Sequence, residues 1–212
     1  MNGKASGDLD GFLKMIDLWR EYYEVDDYFY RKVLDACSKI TKWDEKNAYK
    51  YLIRFLELWG MGRPASKIDP GELAAKLNEC TRLLEQLEGE DLLTLDLKAR
   101  RNLLAELFGK ISAVKHVGPT GASKILHLLK PNVFVMWDQE IRRQYGVSDN
   151  EEGYLEFLAE MKSLLKELLD EYGRRYDAEN PVATLVGKYR KPLTKLIDEY
   201  NWLTARKQPY RF

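Results

Sequence analysis

"VGPTGASKILHLLKPNVFVMWD", residues 117–138, decides how the rest of the chain is read. A Gly-Pro-Thr-Gly turn opens an apolar helix. Pro131 ends that helix, and Asp138 follows a short apolar bridge. Gly118 and Gly121 allow backbone conformations that a Cβ would resist. Ala122, Ile125, Leu126 and Leu129 recur at i, i+3, i+4 and i+7, the spacing of a core-facing stripe. Thr120, Ser123, Lys124 and His127 repeat the same spacing on another face, and all four are polar. A solvated outer face and a functional face both fit that second stripe.

Upstream, "GKISAVKH" completes a helix, tight turn and helix. Such a turn feeding a helix N-terminus points free N–H groups outward, which suits an anion such as DNA phosphate. Lys110, Lys115 and Lys124 lie close by in sequence. A glycine turn alone is weak evidence, because helical hairpins also need glycine for steric reasons.

The formal net charge is zero, but the charge is blocked. Residues 1–99 carry 15 basic and 19 acidic side chains, and 100–147 carry 8 and 3. Residues 148–187 carry 4 and 10, and 188–212 carry 7 and 2. The hairpin therefore sits in one of two basic segments, as a nucleic-acid footprint requires. Solvated blocks that average out over the folded surface fit the same numbers.

A chain of 212 residues, 45% hydrophobic and 12% aromatic, can bury a real core. The length fits a single compact unit over 1–212, either one large domain or two small lobes sharing a core. No run reaches ~18 uncharged apolar residues, so no membrane span is expected. The opening "MNGKASGDLDGF" has no apolar signal core, so the expected location is intracellular. Cys37 and Cys80 are far apart and have no CxxC partner, which supports neither zinc nor an iron–sulfur cluster. No cofactor and no metal is expected.

The whole chain reads as helical, so the fold class is all-α. Two helices are expected in "GFLKMIDLWREYYEVDDYFYRKVLDACSKI", parting near residues 25–27. One should run from an Asp44 N-cap to Trp59, stopped by Gly60, Gly62 and Pro64. Another should start at Asp69 and Pro70 and continue through "TRLLEQLEG". "LTLDLKARRNLLAELFGKISAV" is expected as the next, before the hairpin. "QEIRRQYG", the long "EEGYLEFLAEMKSLLKELLDEYG" and two shorter helices follow, and a basic tail, "TARKQPYRF", ends the chain.

Residues 110–146 resemble the helix-hairpin-helix DNA glycosylase superfamily, in which a hairpin reading roughly Leu-Pro-Gly-Val-Gly-x-Lys-Thr-Ala precedes an aspartate. Val114-Lys115-His116-Val117-Gly118-Pro119-Thr120-Gly121-Ala122 occupies that frame, and Val117, Gly118 and Ala122 match it. Asp138 follows an apolar segment and starts a new helix, as the family's aspartate does. His116 stands where the first hairpin glycine would be. Thr120 stands where members with lyase activity carry the Schiff-base lysine. The four-cysteine cluster of one subgroup is missing.

The resemblance implies a two-lobed helical bundle, with the hairpin and aspartate in about 100–146. The implied activity is excision of a damaged base from double-stranded DNA, with or without strand cleavage at the abasic site, by a monomer. Asp138, the only acid between Glu106 and Glu140, would stabilise positive charge on the sugar. It would also read as a plain N-cap. Lys124, one turn beyond Thr120 on the same face, is the candidate amine because its long side chain can reach the cleft. The role requires a partly neutral lysine, which burial would give, and a surface lysine or phosphate contact fits the position equally. An extruded base needs apolar or aromatic walls, for which Trp137, Phe134, Trp59 and Tyr145 are candidates, with His127 and Thr120. Backbone contacts are expected at Lys110, Lys115, His116, Gly118, Thr120, Gly121 and Arg142. Two other readings stay open: a DNA-binding module without catalysis, favoured by Thr120, and a helical protein-interaction domain, suited by the acidic run Asp149–Glu179.

Overall fold

The structure is a computed structural model that describes residues 8–206. Among these residues it is all-α, with no strand. Helices α1 (Leu9–Tyr22) and α2 (Glu24–Cys37) part at Tyr23, slightly before the expected break. The run 45–61, α3, starts on the Asp44 cap but is π-helical at Ala48–Ile53 and Glu57–Met61, with Trp59 and Gly60 leaving helical geometry. Helix α4 (Pro70–Glu79) starts on Asp69, whose carboxylate accepts from the Glu72 N–H at 2.8 Å. The single helix expected here ends at Cys80, and α5 (Thr81–Glu85) follows separately.

The next helix also starts later than its sequence suggests. Asp91 accepts from the N–H groups of Leu93 and Thr94, and Asp96 from those of Lys98 and Ala99. These local side-chain turns compete with the helix, and α6 is confined to Arg101–Ser112. After it come α7 (Gly118–Leu129), α8 (Gln139–Tyr145), α9 (Glu151–Tyr176), α10 (Pro181–Tyr189) and α11 (Leu193–Ala205). The basic tail continues past α11, and its part at 207–212 lies outside the described residues. No described helix is long and apolar enough to cross a membrane.

One continuous apolar core draws residues from α1 to α11. Cys37 and Cys80 are buried free thiols within it. Helices α6 and α7 pack as the hairpin, with α9 behind α6 and α2 against α7. The bridge Val133–Trp137 is wholly buried. Tyr154 stacks on Phe108 at 4.3 Å and donates its hydroxyl to the Val135 carbonyl at 2.9 Å. Trp137 packs edge-on to both rings and donates its indole N–H to the Pro119 carbonyl at 3.0 Å. The bridge is thereby fixed to the hairpin, and Asp138 emerges at a defined place.

Candidate active site

The turn between α6 and α7 takes left-handed backbone at two positions, His116 (φ 70) and Gly118 (φ 58). His116 holds the conformation that the resembled motif assigns to a glycine, at the cost a Cβ brings there. Lys115 and His116 are exposed, and Lys110 forms a partly exposed pair with Glu106 at 3.2 Å. Gly121 is buried instead. A Cβ there would sit 2.9 Å from Val117 Cγ1 and 3.3 Å from Met61, so this glycine serves packing rather than an exposed phosphate contact.

The second stripe of α7 faces inward. Ser123 Oγ meets the backbone of Trp137, accepting its N–H at 3.2 Å and lying 3.3 Å from its carbonyl. His127 lies 2.7 Å from the Phe134 carbonyl through Nδ1, so Nδ1–H donates, and Nε2 accepts from the Tyr30 hydroxyl at 2.8 Å. Burial pushes His127 down to about 4, although the Phe134 carbonyl favours its charged form. Two stripe residues thus satisfy the bridge that carries Asp138, and the other two, Thr120 and Lys124, reach a cavity.

That cavity, of about 220 Å³, lies between the α1–α2 junction, the end of α3, α7 and the end of α11. Pairs at i and i+4 line it from three directions: Trp19 and Tyr23, Thr120 and Lys124, Trp202 and Arg206. Trp59 and Asp138 complete the wall, and Asp26 and Leu58 stand beside them. Trp19 stacks on Tyr23 at 4.5 Å and meets Trp202 edge-on at 5.4 Å. Arg206 lies over the Trp202 ring at 4.1 Å.

Lys124 is only 7% exposed, and its ammonium donates to the Trp59 carbonyl. Burial lowers its pKa to about 8, partly opposed by Asp198 and Asp138. Asp138 is the N-cap of α8: Oδ1 accepts from the Ile141 N–H at 3.0 Å, and Oδ2 is paired with Arg206. Burial pushes its carboxyl up, but Arg206, the Ile141 N–H and Lys124 together hold it below its ordinary value.

Behind the aromatic wall is a buried ionic cluster. Lys195 lies 2.8 Å from Asp198 and 3.3 Å from Glu199, and its ammonium sits 4.5 Å from the Trp19 ring and 5.5 Å from that of Trp59. Lys191 pairs with Glu199 at 2.7 Å and with Asp27, which also accepts from the Trp19 indole at 3.0 Å. Three carboxylates face two ammoniums, and Glu199 Oε2 has no partner among the described residues. Burial accordingly raises Glu199 to about 7 despite Lys195 and Lys191.

Of the residues selected from sequence, Asp138, Lys124, Thr120 and Trp59 meet at the cavity. Trp137, Phe134 and His127 do not: all three are fully buried, and their contacts hold the bridge in the core. Tyr145 packs on Phe157 and donates to Asn201 at 2.7 Å. Arg142 donates to Thr120 Oγ1 at 3.1 Å and covers the Trp137 ring at 5.2 Å, bracing the hairpin from behind. Sequence reasoning missed Trp19, Tyr23, Asp26, Trp202 and Arg206. The signals were the i, i+4 pairs, two aromatics at Trp19 and Tyr23 and an aromatic and a cation at Trp202 and Arg206; Asp26 had none. Among the described residues, no group of three or more His, Cys, Asp or Glu is placed to hold a metal ion. Comparison of the chain with protein-family models, curated proteins and solved structures gave no significant match.

Proposed function

We propose that this protein is a DNA base-excision enzyme of the helix-hairpin-helix glycosylase type, acting on a nucleotide extruded from double-stranded DNA. The observation that carries the reading is the meeting of one amine and one carboxylate, Lys124 and Asp138, in an aromatic-walled cavity beside the hairpin. Rings of Tyr23, Trp59 and Trp202 offer aromatic surface for a base removed from the duplex, with the buried Trp19 packed behind Tyr23. Thr120 occupies the lysine position of the resembled motif, and Lys124 returns an amine to the same helix face one turn later.

The chemistry follows from the two pKa directions. Asp138 stays ionised and stabilises the positive charge that develops on the sugar. Lys124, pulled to about 8, has a neutral fraction near neutral pH, so its lone pair is available to attack C1′. The C1′–base bond breaks, its electron pair leaves with the base, and the base takes up a proton. The lysine nitrogen then loses a proton, the C1′–O4′ bond opens with protonation of O4′, and a Schiff base remains.

The test is a panel of duplexes, each with one modified base or an abasic site, assayed for base release and for borohydride trapping. Release with trapping supports the full proposal. Release without trapping assigns a glycosylase that uses water. Binding with neither leaves a DNA-binding module, the reading that Thr120 favours.

A further inference from the structure

We infer that a second cleft, bounded by α1, α2 and the end of α10, is a phosphate-binding site that takes the sugar–phosphate backbone of DNA. The cleft has a volume of about 490 Å³ and is lined by Arg20, Arg31, Lys188 and Arg190, with Glu24 and Asp27. Arg20, Arg31 and Arg190 come from three helical elements, and none of their guanidiniums has a hydrogen-bond or ion-pair partner among the described residues. Asp27 is already committed to Lys191 and Trp19. Lys188 lies 3.5 Å from Asp17 and 2.8 Å from the Tyr189 hydroxyl, which donates to Asp17. Among the described residues, three unpaired cations therefore face one unpaired carboxylate, Glu24.

Arg190 adds a separate indication. It is the C-cap of α10 at φ 55, a left-handed position where glycine or asparagine is the low-strain choice. A long cation kept there against local preference points to use. The cleft also absorbs the second basic block of the sequence. Within 188–206, Lys191 and Lys195 are buried in the ionic cluster and Arg206 faces the first cavity, so Lys188 and Arg190 supply its exposed charge.

Position identifies the source of the phosphate. Trp19 lines the cavity and Arg20 the cleft, on stripes about 100° apart around one helix. Tyr23 and Glu24 repeat the division at the junction. A strand whose nucleotide enters the cavity continues past the cleft. Guanidinium groups match phosphate oxygens bidentately. The choice of DNA rests on the base-excision reading, whereas the phosphate chemistry does not.

The experiment compares the wild-type protein with Arg20→Gln/Arg31→Gln and with Glu24→Gln. Salt-dependent binding of a short duplex is one arm, and calorimetric binding of tripolyphosphate is the other. We expect the double variant to flatten the log K against log salt slope by about two, since each lost phosphate contact removes roughly 0.9. Glu24→Gln should tighten duplex binding. A response in the tripolyphosphate arm alone overturns the duplex footprint and assigns a free polyphosphate ligand. No response in either arm overturns the site. A wild type that binds tripolyphosphate through these arginines but no duplex retains the phosphate site and refutes the base-excision reading.

Discussion

The Lys124 ammonium donates to the Trp59 carbonyl at the place where α3 leaves helical geometry, so the proposed nucleophile is anchored to the aromatic wall it works beside. The kink at Trp59 and Gly60 presents that carbonyl to the cavity. Lys124→Ala should eliminate the borohydride-trapped adduct, and Lys115→Ala should not. In the wild type, single-turnover trapping should rise with pH toward about 8, as Lys124 loses its proton, and then level off. A flat profile, or trapping that survives Lys124→Ala, removes Lys124 from the chemistry.

Asp138 caps α8 with one oxygen and meets Arg206 with the other. Asp138→Asn keeps an acceptor for the Ile141 N–H, because asparagine caps as well as aspartate. The Arg206 pair is partly exposed, so its loss should cost less than about 1 kcal/mol. Base excision should disappear while duplex affinity stays equal or increases. A folded, fully active Asp138→Asn protein would contradict the mechanism.

The hairpin offers amides and lysines but no bidentate base readers. Lys110→Glu together with Lys115→Glu should weaken binding to unrelated duplexes by the same factor and reduce the salt slope by about two. Loss confined to one sequence would count against a backbone-binding hairpin.

His127 makes stability acid-sensitive. Its folded pKa, about 4, lies below the ordinary 6.5, so the unfolded chain takes up the proton first as pH falls. The His127 contribution to stability should drop through the window from 6.5 to about 4, by roughly 3 kcal/mol at 1.36 per unit. Denaturant unfolding of His127→Gln should lack this component. A wild type and variant with parallel pH profiles would show that His127 is not the source.

Glu199 acts in the opposite sense. Its folded pKa of about 7 lies above 4.5, so the native state holds the extra proton and stability falls as pH rises from 4.5 to about 7. With Glu199 neutral, Lys191 and Lys195 face Asp27 and Asp198 in balance. Glu199→Gln should therefore be tolerated at pH 8 and should flatten that window. Lys195→Met leaves the carboxylates uncompensated and should cost several kcal/mol. Equal losses from the two substitutions would refute the charge-balance account.

Local chemistry was legible in the sequence, and tertiary chemistry was not. The caps at Asp44, Asp69 and Asp138 came through because a cap is set within four residues of itself. The break at Cys80, the π-helical turns of α3 and the Asp91 and Asp96 turns did not follow from apolar spacing. The polar stripe of α7 was visible, but its inward direction depends on the bridge it hydrogen-bonds. Lys124 and Asp138 were found on one continuous stretch. Trp19 and Trp202 reach the cavity only through the packing of α1 on α11, which no local pattern records.

The placement of the tryptophans gives the protein its own optical reporter. Of the five indoles, Trp19, Trp43 and Trp137 are buried, whereas Trp59 and Trp202 are partly exposed at the cavity. Emission at long wavelength will therefore come chiefly from the cavity wall. An aromatic guest stacked there will quench it without any attached dye, so occupancy of the proposed base pocket can be tested with unlabelled DNA.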